Sequence, residues 1–160
     1  MKKLLLIRHA KAVHDLSYDD FERPLKHSGF KDAEFMAERL LSEKIVPQLL
    51  ITSPALRTTG TANIFAQHLS LAKAKEDLRI YDASRLTLLD VINGFDNKKD
   101  FIGLVGHNPT MEQIIHYLTG NIVDFPTCAI ALIEFELNDW AAVSAQTGTM
   151  KWYSVPKDHH

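Results

Sequence analysis

Apolar positions follow two rhythms along this chain. Short unbroken runs occur at Lys3–Arg8, Gln48–Thr52 and Phe101–Val105, each closed by polar or small residues. Runs of this length predict strands buried on both faces. Between them the apolar residues recur at helical spacing: Ala33, Met36, Ala37 and Leu40; Ala62, Phe65, Ala66 and Leu69; Leu88, Val91, Ile92 and Phe95; Met111, Ile114, Ile115 and Leu118. The spacing predicts a helix from about Gly29 to Ser42 with Ser28 as its cap, and another from about Ser84 to Phe95. Ser53-Pro54 and Asn108-Pro109 read as a capping residue followed by proline in the first turn, so each predicts a helix start. Residues 11–27 are polar and read as loop. Further strands are expected at Leu78–Tyr81, Cys128–Leu137 and Trp140–Val143, with a last one near Lys151–Val155. Strands alternating with helices predict an α/β fold whose sheet is covered on both faces. Such sheets bind ligands beyond the carboxyl ends of their strands.

Composition narrows the class. The chain has 160 residues, 46% of them apolar and 24% charged, which suits one globular domain over residues 1–160. Eighteen basic against twenty acidic residues leave a net charge of −2, no footprint for nucleic acid or an anionic membrane. Cys128 is the only cysteine. No intrachain disulfide can form, and a reducing, cytoplasmic setting is expected. The opening MKKLLLI has too short an apolar run for a signal peptide, and no run approaches membrane-spanning length. The terminal Asp158-His159-His160 carries no weight in this reading.

Chemistry concentrates at three strand ends: LLLIRHA, LLITSPALR and IGLVGHNPT. On parallel strands these tips converge on one edge. They deliver Arg8 and His9, then Arg57 in the first turns of a helix, then His107 just before another. Helix starts add unpaired backbone N–H groups and partial positive charge. Two guanidiniums, two imidazoles and helix starts make an anion site, and the planar guanidinium fork favours phosphate. The histidine spacings match no HExxH or carboxylate-rich metal set, so no metal and no cofactor is expected.

Arg8-His9-Ala10, Ser53-Pro54 with Arg57-Thr58, and Gly106-His107-Asn108-Pro109 together resemble the histidine phosphatase superfamily, also called phosphoglycerate mutase-like. The similarity runs in order over most of residues 3–118. The short length, Arg23-Pro24-Leu25 leading into Gly29, and Tyr81-Asp82-Ala83-Ser84 resemble the bacterial phosphohistidine phosphatases of the SixA type. The resemblance implies a three-layer α/β/α sandwich with a mostly parallel sheet. It implies that His9 attacks phosphorus and is transiently phosphorylated, that Arg8, Arg57 and His107 hold the phosphoryl oxygens, and that Arg23 touches substrate. One departure stands out: the superfamily usually has glycine where this chain has Ala10.

A phosphate ester leaves as an alkoxide and needs a proton donor, whereas phosphohistidine leaves as imidazole and demands less. Asp82 and the Asp19-Asp20-Glu22 loop are the candidate acids. The expected activity is that of a phosphohistidine phosphatase acting on a phosphotransfer protein, with phosphate as product. The alternatives are a small-molecule phosphomonoesterase on the same scaffold and a non-catalytic phosphate-binding protein.

Overall fold

The structure is a computed structural model, and it describes residues 1–156. The terminal Asp158-His159-His160 lies outside the described residues. Six strands form one sheet: β1 (Lys2–Arg8), β2 (Leu49–Thr52), β3 (Lys75–Glu76), β4 (Phe101–Gly106), β5 (Ile130–Phe135) and β6 (Gly148–Ser154). Their order across the sheet is β3-β2-β4-β1-β5-β6. The pairs β1·β4, β2·β4 and β2·β3 are parallel, while β5 runs antiparallel to both β1 and β6.

The unbroken apolar run of β1 follows from covering both faces. Leu4 and Leu6 point to one side, where they pack with α3 (Arg85–Asn93) and α4 (Thr110–Thr119). Leu5 and Ile7 point to the other and pack with α1 (His27–Ser42) and α2 (Leu56–His68). Successive side chains on a strand alternate faces, so a strand sandwiched between helix layers has no position left for a polar residue. The three-layer α/β/α arrangement is therefore as expected, and the helical stripes read from the sequence are the buried ones. Ala33, Met36, Ala37 and Leu40 of α1, and Met111, Ile114, Ile115 and Leu118 of α4, are all buried.

Two expected strands are not strands. Leu78–Ile80 is a 3-10 turn, and the third strand is the preceding Lys75–Glu76. The Asp77 side chain accepts from the Arg79 N–H and turns the chain, and only Ile80 of the segment is buried. Trp140–Ala142 is likewise a 3-10 turn, capped by Asp139 through the Ala141 N–H. Trp140 is buried whole, but its N–H and indole N–H are taken by Asn97 Oδ1 and the Lys99 carbonyl rather than by a strand. In both segments a local aspartate cap outcompetes the sheet for the backbone.

Three helix starts also differ. α1 begins at His27 with Lys26 as N-cap rather than Ser28, and α2 begins at Leu56 with Ala55 as N-cap. α4 begins at Thr110 after Pro109, without a side-chain cap. Ser53 and Asn108 are thereby left for other partners. α3 begins at Arg85, one residue after the expected start, with the Ser84 side chain as its cap accepting from the Thr87 N–H.

The loop between β1 and α1 is pinned at its neck. Val13 N–H donates to the Pro24 carbonyl and Lys26 N–H to the Lys11 carbonyl, with a bridge between Ala12 and Leu25. Asp20–Glu22 forms one 3-10 turn within it. Gly29 fixes where α1 meets this neck, because a Cβ there would sit 2.2 Å from the Lys11 carbonyl oxygen.

Candidate active site

The sheet register brings the three strand ends together. Arg8 pairs with Gly106 and Thr52 with Val105 on adjacent strands, so the residues that follow leave the sheet at one level. Beyond β1, the His9 N–H donates to the Gly106 carbonyl and the His9 carbonyl accepts from the Cys128 N–H. Ala10 ties the strand end to α2: its N–H donates to Thr61 Oγ1, which in turn donates to the Arg57 carbonyl. Ala10 is fully buried and is not among the residues with positive φ. The backbone thus does not require glycine at this position.

Arg8, His9, Arg57 and His107 line one cavity of about 420 Å³, together with Lys11, His14, Arg23, Lys26, Asn108 and Thr127 among others. No carboxylate lines it among the described residues. The His9 and His107 rings lie 5.5 Å apart between centroids. His9 is 6% exposed, and its Nδ1 is 2.8 Å from the Ala10 carbonyl oxygen. A carbonyl only accepts, so Nδ1 carries the proton and Nε2 keeps its lone pair. Burial first, then the neighbouring His107, Arg8 and Arg57, bring the His9 pKa down to about 3, against the opposing bond to Ala10. The His9 ring is therefore neutral at ordinary pH.

His107 comes from the β4–α4 junction. Its Nε2 lies 2.8 Å from Ser53 Oγ, the residue expected to cap a helix. Burial and the Arg57 charge bring its pKa to about 4. Arg57 is buried at the first turn of α2; its Nη1 donates to the Asp20 carbonyl at 2.6 Å and its Nη2 to Asp20 Oδ2 at 3.1 Å. Arg8 donates through Nη1 to the Phe125 carbonyl at 3.1 Å, and burial lowers its pKa from the ordinary arginine value. Three buried nitrogens of this set have no hydrogen-bond partner among the described residues: Arg8 Nε, Arg57 Nε and His107 Nδ1. Buried donors are normally paired, and each unpaired one is costly. All three belong to residues that line the same cavity, and an oxyanion is the kind of group that pairs with such nitrogens.

Arg23 lies at the rim, its Nε on the Val13 carbonyl and its Nη1 on Asp20. Asp82 falls elsewhere. It is exposed, with φ of 52°, and lines a neighbouring cavity of about 280 Å³ with Asp20, Tyr81 and Thr110. That cavity shares Arg57, His107 and Asn108 with the first. Asp82 does not cap α3, since Ser84 does.

The sequence reading missed Ser53 and Asn108 as site residues, and Tyr81, whose hydroxyl donates to Asp20 Oδ2. Asn108 donates to Glu112 Oε2 and to the Phe125 carbonyl, which also holds Arg8. The pairing of Ser-Pro with Asn-Pro was the available signal: both polar residues come just after a strand end and neither caps the helix after it.

A family model described as histidine phosphatase superfamily (branch 1) matches residues 4–89, more than half of the chain. The chain belongs to the histidine phosphatase superfamily. Among its relatives is an uncharacterized chloroplastic protein of Arabidopsis thaliana, 30% identical over 94% of this chain and 74% of that protein. Its fold is similar to that of the Agrobacterium tumefaciens protein assigned as the phosphohistidine phosphatase SixA. The two superpose with a TM-score of 0.83 at 25% identity, covering 97% of this chain and 98% of the other. A protein histidine phosphatase SixA complexed with tungstate shares the fold at TM-score 0.85 and 21% identity, covering 99% of each chain. Membership of the histidine phosphatase superfamily supports a phosphatase. Among the described residues no helix is long and apolar enough to cross a membrane.

Proposed function

We propose that this protein is a phosphohistidine phosphatase that works through a phosphohistidine intermediate on its own His9. One observation carries the reading: His9, whose Nδ1 lies on the Ala10 carbonyl and leaves the Nε2 lone pair free, lines one cavity with Arg8, Arg57 and His107, whose Nε, Nε and Nδ1 atoms have no partner among the described residues. In this reading the phosphoryl oxygens lie against those donors, where negative charge spreads in the transition state. The bond from Ser53 is then best made with its hydroxyl donating to His107 Nε2, which leaves the His107 proton on Nδ1, facing the anion.

The steps balance without an added reagent. The His9 Nε2 lone pair attacks phosphorus, the bond from phosphorus to the substrate nitrogen breaks, and the departing imidazole takes a proton from water. A second water then attacks the phosphoryl group on His9, passing one proton to the hydroxide left by the first step; inorganic phosphate departs and neutral His9 returns. Fixed cations supply the positive field, so the reaction needs no metal. The substrate is a phosphohistidine displayed by a phosphotransfer protein, with Arg23 and Lys26 at the rim to meet it.

Asp82 supports a second reading. It lies in the cavity that shares Arg57 and His107 with the first, where a carboxylic acid could protonate an ester's leaving oxygen. A small-molecule phosphomonoesterase would use it so.

A panel of phosphorylated substrates with wild type, His9→Ala and Asp82→Asn separates the readings. Expected are turnover of a phosphohistidine protein, an acid-labile and alkali-stable phosphoenzyme that is absent in His9→Ala, and little effect of Asp82→Asn. Robust ester turnover lost in Asp82→Asn, with no action on the protein substrate, would establish the esterase instead. Phosphate binding without any phosphoenzyme or turnover would leave only a binding protein.

A further inference from the structure

Asp20 meets Arg57, Arg23 and Tyr81, yet the reaction steps give it nothing to do. Its carbonyl and carboxylate take the two terminal nitrogens of Arg57, and Tyr81 donates to the same Oδ2 at 2.7 Å. Arg23 Nη1 donates to Oδ1 at 3.1 Å. Four donors from three separate segments thus converge on one residue: the loop itself, α2, and the turn after Leu78–Ile80.

We propose that Asp20 is a positioning residue for Arg57, gripping the outer edge of the guanidinium so that Nε–H is held in the plane that faces the phosphoryl group. The inference rests on the reading that Arg57 binds a phosphoryl oxygen. The local geometry makes the need plain. Arg57 sits in the first turn of a helix on a long side chain, and its buried Nε has no partner among the described residues. A guanidinium is planar, so fixing two of its nitrogens fixes the direction of the third. Asp20 could not do this alone, because its side chain is 56% exposed and a free carboxylate at the surface holds little. Tyr81 and Arg23 hold the carboxylate that holds Arg57.

The same contacts exclude Asp20 as the proton donor. A carboxylate that accepts from two guanidiniums and a phenol has its lone pairs committed and stays ionised; its pKa is brought down to about 2, with the Tyr81 bond the largest cause. A positioning carboxylate acts equally on every substrate, whereas an acid acts most on poor leaving groups.

The test compares wild type with Asp20→Asn, Asp20→Glu and Tyr81→Phe. Turnover is followed on phosphoramidate and on aryl phosphates of graded leaving-group pKa. Phosphate and vanadate affinities are measured by calorimetry and the thermal midpoint in parallel. Misaiming one guanidinium should lower kcat about 10- to 100-fold in Asp20→Asn and weaken vanadate to a similar degree, with KM changing about threefold or less. The loss should be the same on every substrate, smaller in Tyr81→Phe, partly recovered in Asp20→Glu, and accompanied by an unchanged thermal midpoint. A loss confined to poor leaving groups would make Asp20 an acid and overturn the proposal. A loss that follows a falling thermal midpoint would make its role merely structural and overturn it as well. Unchanged vanadate affinity in Asp20→Asn would do the same. If wild type binds phosphate and vanadate but turns over nothing, the phosphatase reading fails, and the calorimetric comparison still decides the role of Asp20.

Discussion

Acid should unfold this protein through two imidazoles, His9 buried and His107 half-buried. His9 and His107 have folded pKa values of about 3 and about 4, against 6.5 for the exposed group. As pH falls below 6.5 the unfolded chain takes up both protons, while the folded chain refuses them until near pH 4. The unfolded state then binds more protons, so stability rises with pH in this window and is lost on acidification. At about pH 5 both rings are still neutral in the fold, and each costs about 2 kcal/mol relative to neutral pH, the free energy of holding a group of pKa 6.5 unprotonated there. Together they remove about 4 kcal/mol, a large share of the roughly 5–15 kcal/mol typical of a whole domain. The slope should approach about 2.7 kcal/mol per pH unit near pH 5.5, the value for two protons. Asp20 adds the same sign only below its ordinary range near 3.8. Denaturant unfolding between pH 7.5 and 4.5, in buffer free of oxyanions, reads this directly. His9→Asn and His107→Asn should each remove about half of the slope, whatever they do to stability at neutral pH. Stability that is flat across this range, or a slope that survives in the double variant, would refute the argument that burial keeps these rings neutral.

Three other outcomes follow from named contacts. Ala10→Gly should destabilise the fold by about 1 kcal/mol through unfolded-chain entropy and a lost buried methyl, and leave turnover within about twofold. A large gain in turnover would mean that the methyl obstructs the loop after all. Gly29→Ala forces its Cβ against the Lys11 carbonyl at 2.2 Å, so α1 or the loop neck must move. A cost of about 1–3 kcal/mol is expected by denaturant unfolding, with weaker phosphate binding because Arg23 and Lys26 sit on that loop. Ser53→Ala leaves His107 Nε2 without its 2.8 Å partner, and phosphate affinity should fall about tenfold as the ring loses its fixed orientation. An unchanged affinity would show that the hydroxyl does not set the ring.

The amino-acid sequence by itself determined the layers and the places where chemistry gathers. An apolar run as dense as Leu4–Ile7 has one stable destination, between two layers of helices, and the helical stripes say which side of each helix turns inward. Arg8, His9, Arg57 and His107 were legible because each follows or adjoins such a run, and parallel strands in register must deliver their ends to one edge. Local competition was not legible. The segments at Leu78 and Trp140 carry strand-like residues, and whether an adjacent aspartate or a neighbouring strand takes the backbone depends on which is within reach. Only the tertiary structure could decide the partners of single polar atoms. Ser53 looks like a cap until His107, 54 residues away, comes within 2.8 Å. Asp20 looks like loop charge until Arg57 and Tyr81 arrive from two other segments. Burial pattern is written into a chain by repetition over many residues, each contributing a little. A hydrogen bond depends on two atoms meeting to within a few tenths of an ångström, and nothing short of the folded chain sets that distance.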